Sequence, residues 1–502
     1  MTVAMRGDGA PTEIGGDALV VTAYNGELGQ VAAEVDSGNG GELAAMLASG
    51  EIRGSFGEVT VVPSPAGVAA RRLVLLGLGK REALDSYRVH NAYTLAGREL
   101  RRRRLPRVVL VADSSIAQGG VDADCLLRSM VTGTLVANHE SGGRKSSDDE
   151  RSPLIEEVVV AGLNGADGES ADRALAEAVL LAESTLRVQR WVSEPSNQLT
   201  PSKFAAAVRE MCAGTPLEVE TLERAELTSA GAGALLGIAQ GSDEPPVMII
   251  VRYDGGREGE PRLALVGKGI TFDTGGISIK PALGMEMMKT DMGGGAAVLA
   301  AIHAIAALRV RANVVAIVPA TENMPGGRAL KPGDVVTAMD GTTIEVVNTD
   351  AEGRVVLADG LSMARRAGAT HIVDVATLTG AAIIALGHVN AGLMTNSREL
   401  GDLVLRAAAQ AGERFTELPM QPEYDSCLHS EVADVANWGG REAGSIAGGV
   451  FIRKFAGDLP WVHLDIAGTS WNDQRSLRDV PSGPSGCSVR TLVWLARLFA
   501  GG

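Results

Sequence analysis

Five short and almost unbroken apolar runs set the strongest limit on what this chain can fold into: "PPVMIIVRY", "RLALVGKG", "ANVVAIVPA", "THIVDVA" and "WVHLDIAG". Runs of this length, rich in Val, Ile and Leu and without polar alternation, read as buried strands, and the segments between them have helical spacing. Strand and helix in alternation predict an α/β domain. The first third repeats the pattern, with "DALVVTAYN", "EVTVVPS", "RRLVLLGLG", "RVVLVAD" and "IEEVVVAG" as strands and "SYRVHNAYTLAGRELRRR" and "DADCLLRSMVTGTLVAN" as helices. The polar stretch from Glu140 to Pro153 reads as a surface loop. Between the two regions lies "SADRALAEAVLLAESTLRVQRWV", a long helical pattern with Ser170 or Asp172 available as its N-cap. The expected organisation is an N-terminal α/β domain over 1–168, a linking helix over 169–193 and a larger C-terminal domain over 194–502.

Aromatic residues make up only 3% of the 502 residues, so the cores must be built from Ala, Val, Leu and Ile. Forty-six basic against 61 acidic residues give a net charge of −15, which disfavours an anionic polymer or membrane surface as the main partner. Cys125, Cys212, Cys427 and Cys487 are scattered and form no C-x-x-C, a usage that fits a reducing compartment rather than a disulfide framework. The N-terminus shows no charged segment followed by an apolar run, and "AAIIAL" is too short to span a bilayer. These features predict a soluble cytoplasmic protein.

Several catalytic signatures fail on single residues. His139-Glu140 opens like H-E-x-x-H, but Gly143 stands where the second His belongs. Gly267 and Gly269 begin a dinucleotide pattern that Phe272 breaks, and Gly269 follows Gly267-Lys268 where a phosphate loop needs Ser or Thr. There is no G-x-S-x-G. His303, His371, His388 and His463 sit in apolar runs and read as core or helix-end residues.

Two charged corners remain. "VGKGITFDTGGISIKP" puts Lys268 at the end of a strand and Asp273 in the glycine-rich loop after it, with Lys280 and Asp291 further on. "NTDAEGR" puts Asp350, Glu352 and Arg354 between a strand and a helix. Ligand crevices form at the carboxyl ends of strands in open α/β sheets. If both corners face one crevice, Asp273, Asp291, Asp350 and Glu352 bring four negative charges together, and like charges resist shared burial. Two divalent cations balance them, +4 against −4. Oxygen ligation suits magnesium, manganese or zinc, and paired ions suit hydrolysis by activating water and polarising the substrate. Lys280 and Arg354 would face charge developing on the substrate. Taken singly, Asp291 and Asp350 read equally well as N-caps of the helices that follow them, and Glu352 as a first-turn acid favoured by the helix dipole.

These stretches, with "MKTDMGGGAAVL", "ENMPGGRALKPGDVV", "NTDAEGRVVLADGL", "DVATLTGA", "REAGSIAGGVFIRKF" and "HLDIAGTSW", resemble the leucyl aminopeptidase family, cytosolic two-metal exopeptidases of the M17 type. The resemblance runs from about Glu194 to the end. It implies a catalytic domain with a mixed central sheet and release of N-terminal residues, preferably Leu and other apolar ones, from peptides with a free N-terminus. Lys268, Asp273, Asp291 and Glu352 would hold one ion, Lys268 as a neutral amine, and Asp273, Asp350 and Glu352 the second. Lys280 would meet the scissile carbonyl, and Arg354 would hold bicarbonate as the general base. Met288, Asn348, Thr377, Leu378, Gly380 and Ala467 would contact substrate. A homohexamer is also implied. Val355, Gly360 and "IAGG" depart from the family's usual Leu, Ala and alanine-rich pattern.

Two other readings are weaker. A two-metal phosphoesterase would call for more histidine ligands and a basic phosphate cradle, which the sequence does not display. Nucleic-acid binding would rest only on "RELRRRRLPR", where Arg98, Arg101 to Arg104 and Arg107 cluster. A basic run there equally suits a helix end in solvent, and the net charge is adverse, so nucleic acid is not the expected partner.

Overall fold

The computed structural model describes residues 2–38, 40–63, 66–113, 122–140, 152–163, 168–473, 477 and 479–501. Most of the Glu140–Pro153 stretch therefore lies outside the described residues. The chain divides into two compact units. The first is residues 1–186 with 409–412 and 474–481, and the second is 187–408 with 413–473 and 482–502.

In the first unit, strands β1 (Val3–Arg6), β2 (Ala18–Tyr24), β3 (Glu27–Leu28), β4 (Val59–Pro63), β5 (Arg72–Gly77), β6 (Arg107–Val111) and β7 (Glu157–Ala161) form one sheet in the order β1-β7-β6-β2-β5-β4, with β3 on β2. All neighbours along that order are parallel except β4, which is antiparallel to β5. Strand side chains alternate between faces. Ala18 and Val20 enter one core, with the helices Ser86–Arg102 and Ala123–Val136, whereas Leu19 and Val21 enter another, with Gln30–Gly38 and Glu42–Ser49. The long helix is Gly168–Ser193. It begins before either expected cap. Ser170 lies inside it and donates to Asp124, and Asp172 pairs with Arg6 at 2.7 Å.

The second unit has a mixed sheet of β8 (Glu218–Leu222), β9 (Val247–Asp254), β10 (Arg262–Gly267), β11 (Gly269–Asp273), β12 (Asn313–Asn323), β15 (His371–Ala376), β16 (Ala391–Thr395), β17 (Phe415–Glu417) and β19 (Trp461–Asp465). Its order is β17-β16-β19-β15-β10-β12-β9-β8, with β11 on β12. The centre, β19-β15-β10-β12, is parallel, and β9, β8 and β16 pair antiparallel. Helices Glu352–Arg366 and Gly444–Ala456 join the core on one face. Helix Gly293–Ala307 is apolar nearly all round and almost wholly buried, as a helix enclosed by its own protein must be. Met285–Ala307 is, among the described residues, the stretch long and apolar enough to cross a membrane, and 89% of its most apolar window is buried inside the protein. A separate sheet of β13 (Asp334–Thr337), β14 (Thr343–Val346) and β18 (Val435–Ala436) carries the approach to "NTDAEGR". That corner therefore follows a strand of the small sheet, not of the central one.

Candidate metal centre

Three neighbouring parallel strands end together: Gly267 of β10 lies opposite Val375 of β15, and Ala376 opposite Asp465 of β19. The chain turns out of β10 at Lys268, whose N–H donates to Val375 O and whose carbonyl accepts from Gly295 N. It then re-enters the sheet as β11, so that Asp273 is the last residue of a strand rather than part of the glycine loop. Gly275, at φ +84°, turns the chain back, and a Cβ there would lie 2.6 Å from Asp350 Oδ1. Only glycine accommodates that close approach.

The N-cap reading of Asp291 and Asp350 fails. The caps of the following helices are Met292 and Ala351, neither with a side-chain cap bond. Both acids instead point into one cluster. Oxygens of Asp273, Asp350 and Glu352 lie within 4.8 Å of one another. Lys268 Nζ is 2.7 Å from both Asp291 Oδ2 and Glu352 Oε1, and donates to Thr377 O at 3.2 Å. Lys280 Nζ is 2.8 Å from Asp273 Oδ2 and 2.6 Å from Asp350 Oδ1. The Asp291 Oδ2 and Asp350 Oδ1 contacts have ion-pair distance without hydrogen-bond geometry, and Glu352 Oε2 is buried with no partner.

With every group ionised, two ammonium groups against four carboxylates would leave −2 in this centre. Burial raises the Glu352 carboxyl well above the usual range, with Asp273 adding to it, and raises Asp291 and Asp350 too, against the opposing pull of the lysines. Burial alone would lower Lys268, but Asp291, Glu352 and Asp273 outweigh it and hold the amine as ammonium. Lys280 is raised in the same way, led by Asp273. A surplus of buried carboxylate with an orphaned oxygen is a donor set that fits divalent cations. A cation beside Lys268 would favour loss of its proton and make the amine a donor.

Side chains to which sequence reasoning assigned no role orient this set. Asn323 Nδ2 donates to Asp273 Oδ1 at 2.8 Å and to Thr349 O at 2.9 Å. Asn437 grips the "NTDAEGR" corner: its Nδ2 donates to Asn348 O and Ala351 O, its Oδ1 accepts from Asn348 N, and its carbonyl accepts from Arg354 Nη1 at 3.0 Å. Asn348 uses its own Oδ1 to accept the Asp350 N–H. Arg354 is buried, burial lowers its guanidinium to about 10, and its Nε has no partner. Asn323 and the buried Asp465 lie within stretches singled out in the sequence, and an acid inside an apolar strand such as "WVHLDIAG" was the available signal.

Of the expected substrate contacts, Thr377 donates its hydroxyl to Asp291 Oδ1 at 2.7 Å, and Leu378 and Ala467 both donate backbone N–H to Asp465. Met288 is joined to the centre through its carbonyl, which accepts from Asp291 N, and Gly380 is the exposed first residue of helix Gly380–Leu386. His463 is buried against Asp374, while His303, His371 and His388 are half-buried. The arginine run is divided: Arg98, Arg102 and Arg103 line one surface concavity together with Glu99. Arg101 is buried and donates to the carbonyls of Ala137, His139, Ser152 and Pro153, whereas Arg102 and Arg103 pair with Glu99 and Arg107 with Asp17.

Two α/β units, the second carrying a lysine-bridged carboxylate centre at the ends of parallel strands, define a metallohydrolase architecture. Residues 187–493 match the catalytic domain of the cytosol aminopeptidase family, and residues 19–148 match its N-terminal domain. A probable cytosol aminopeptidase of Solibacter usitatus is 45% identical over 96% of this chain and 97% of its own, and one of Alkaliphilus metalliredigens is 40% identical over 96% of each. Among solved structures, a tomato leucine aminopeptidase mutant superposes with a TM-score of 0.87 at 30% identity, over 99% of this chain and 97% of that one. The bottromycin maturation enzyme BotP in complex with Mn gives 0.81 at 34% identity, over 97% and 100%. The chain belongs to the cytosol aminopeptidase family and is an aminopeptidase, a hydrolase acting on peptides.

Proposed function

We propose that this aminopeptidase works with two divalent ions per chain, manganese, zinc or magnesium, and prefers leucine and other apolar residues at the substrate N-terminus. The convergence of Asp273, Asp350 and Glu352 within 4.8 Å, with Glu352 Oε2 left unpartnered, carries the reading. Lys268, Asp273, Asp291 and Glu352 would hold one ion, and Asp273, Asp350 and Glu352 the other. When bound, the ions supply positive charge for the substrate's free α-amine and carbonyl oxygen and strengthen water as a nucleophile at neutral pH.

The chain's own residues do the rest. Lys280 reaches Asp273 and Asp350, so its ammonium stands where it can stabilise the carbonyl oxygen as the carbon becomes tetrahedral. Arg354, with its buried and unpartnered Nε, would hold a bicarbonate ion, which would supply the general base that the protein's own side chains do not. Thr377, Leu378, Gly380, Ala467 and Met288 line the place of the first side chain, and Asn348 braces Asp350 beside it. We assign the catalytic role to residues 194–502, the assembly to a homohexamer and the location to the cytoplasm. Leu283, Ile384 and Ile279, at 97%, 89% and 62% exposure, favour burial in an assembly.

The test compares a leucine anilide with its N-acetylated form, after chelation and after adding back each metal, with Asp350→Ala as control. Cleavage of the free-amine substrate alone, lost on chelation and restored by metal, supports the reading. Inactivity of the metal-replete protein across a panel of N-terminal residues refutes it. Light scattering that gives a mass other than six times 51.9 kDa removes the hexamer.

A further inference from the structure

Asp465 is a second buried carboxylate, outside the metal centre and fully withdrawn from solvent. It ends β19, and hydrogen bonds from two different loops meet its charge. Oδ1 accepts the N–H groups of Leu378 at 3.2 Å, Thr379 at 3.4 Å and Ala467 at 3.2 Å, and Oδ2 accepts the Thr379 hydroxyl at 2.6 Å. Leu378 and Thr379 follow β15, and Ala467 follows β19, so one carboxylate ties together the exits of two adjacent strands. Thr379 passes the constraint on. Its oxygen accepts the Ala382 N–H at 3.1 Å and lies 2.8 Å from Ser445 Oγ, which sets the start of helix Gly380–Leu386.

The same short loop is anchored at its other end to the metal centre, where Thr377 donates to Asp291 and accepts from Lys268. Residues 377–379 thus form a bridge with one end on the ion-holding residues and the other on Asp465. Leu378, between the two, packs its side chain against helix Gly444–Ala456 and the core on that face. A Cβ on Gly448 would lie 2.8 Å from Leu378 Cδ2, so the side chain occupies the place a methyl would take.

We propose that Asp465 is a positioning residue that sets the enzyme's choice of first residue, by holding Leu378 and Ala467 at one fixed spacing across the pocket for the substrate side chain. This rests on the reading that Leu378 and Ala467 line that pocket. A carboxylate suits the task because one oxygen can serve three converging N–H groups while the other takes a hydroxyl. Asparagine keeps the first oxygen but turns an NH2 toward the Thr379 hydroxyl, which must then give its proton to Ser445 Oγ, so the bond from the hydroxyl to a charged acceptor is lost. The wall loosens while the end of the loop held by Asp291 and Lys268 stays in place.

The experiment measures kcat and KM for leucine and alanine anilides on metal-replete Asp465→Asn, Thr379→Val and Thr379→Ser, with bound metal per chain and Ala467→Val as a pocket control. The leucine-to-alanine ratio of kcat/KM should fall about tenfold in Asp465→Asn and in Thr379→Val, mainly through KM for leucine, since an apolar pocket earns discrimination only by close fit. Thr379→Ser, which restores the hydroxyl, should keep the wild-type ratio, and metal content should not change. Equal losses on both substrates, or a loss of metal, overturn the proposal. If Ala467→Val shifts the ratio and Asp465→Asn does not, the positioning role alone falls. If neither shifts it, the pocket assignment falls and the proposal with it. Should Asp465→Asn fail to fold, the Thr379 pair decides.

Discussion

Gly353, in the first turn of helix Glu352–Arg366, supports the centre by having no side chain. A Cβ built there would stand 2.6 Å from Lys268 Cε, 2.7 Å from Nζ and 2.8 Å from Cδ. Comfortable carbon–carbon contacts are about 3.5–4.0 Å, so Gly353→Ala requires the lysine tail to give by roughly 1 Å. A surface lysine would swing aside at little cost, but this one is 3% exposed and boxed in by Asp291, Glu352 and Thr377 O. Overpacking of this kind costs about 1–3 kcal/mol, against about 0.5–1 kcal/mol returned by replacing a helical glycine with alanine. The net loss of stability should therefore be about 0–2.5 kcal/mol, and the protein should still fold. The functional loss should be larger, because a reacting constellation displaced by about 1 Å loses roughly 100-fold in rate. Anilide hydrolysis, a thermal melt and metal per chain, measured on one preparation, separate the two effects. A folded Gly353→Ala enzyme with kcat/KM close to wild type would show that the Lys268 position is not needed, and the role given to Lys268 would have to be withdrawn.

Asn323→Ala frees Asp273 Oδ1 and Thr349 O from their shared donor, and metal affinity should fall about 10–100-fold in chelator competition. Chelation should abolish activity with full recovery on adding metal, and a chelated protein that still turns over would exclude the metal-dependent reading. Burial pushes the Asp359 carboxyl up from 3.8 to about 7, so the folded state holds that proton more tightly than the unfolded chain. Its contribution to stability is present below the unfolded value and lost as pH rises through about 7. Urea unfolding at pH 5 and 8 should show a smaller drop for Asp359→Asn than for wild type, and equal drops would refute the shift.

The core strands were readable because their information is local. An uninterrupted run such as "RLALVG" has one stable place, inside a sheet, whatever surrounds it. The charged corners were readable for a related reason: Asp273 and the Asp350–Arg354 stretch concentrate charge at the ends of otherwise apolar strands, where it calls for neutralisation. Their partners were harder to see. Nothing local marks Asn323 as the orienting donor for Asp273, since the two are separated by 50 positions and meet only because β11 lies on β12. The N-cap reading of Asp291 and Asp350 was reasonable on sequence and failed in space, because the cluster claims both carboxylates before a helix terminus can. The arginine run, which the overall charge already argued against as a nucleic-acid site, is the opposite case. Arg101 belongs to a set of buried carbonyls, which a count of basic residues cannot reveal.

By itself, then, the sequence determined the alternation of strand and helix, the apolar cores and the presence of a charge surplus that called for cations, all consequences of short-range patterning and composition. Tertiary structure decided which carboxylates meet, which lysine stands between them, and that Asp465 holds two loops in one grip. Those outcomes depend on distances between residues far apart in the chain, such as the 109 positions between Lys268 and Thr377, and packing of the sheet is what brings them within reach.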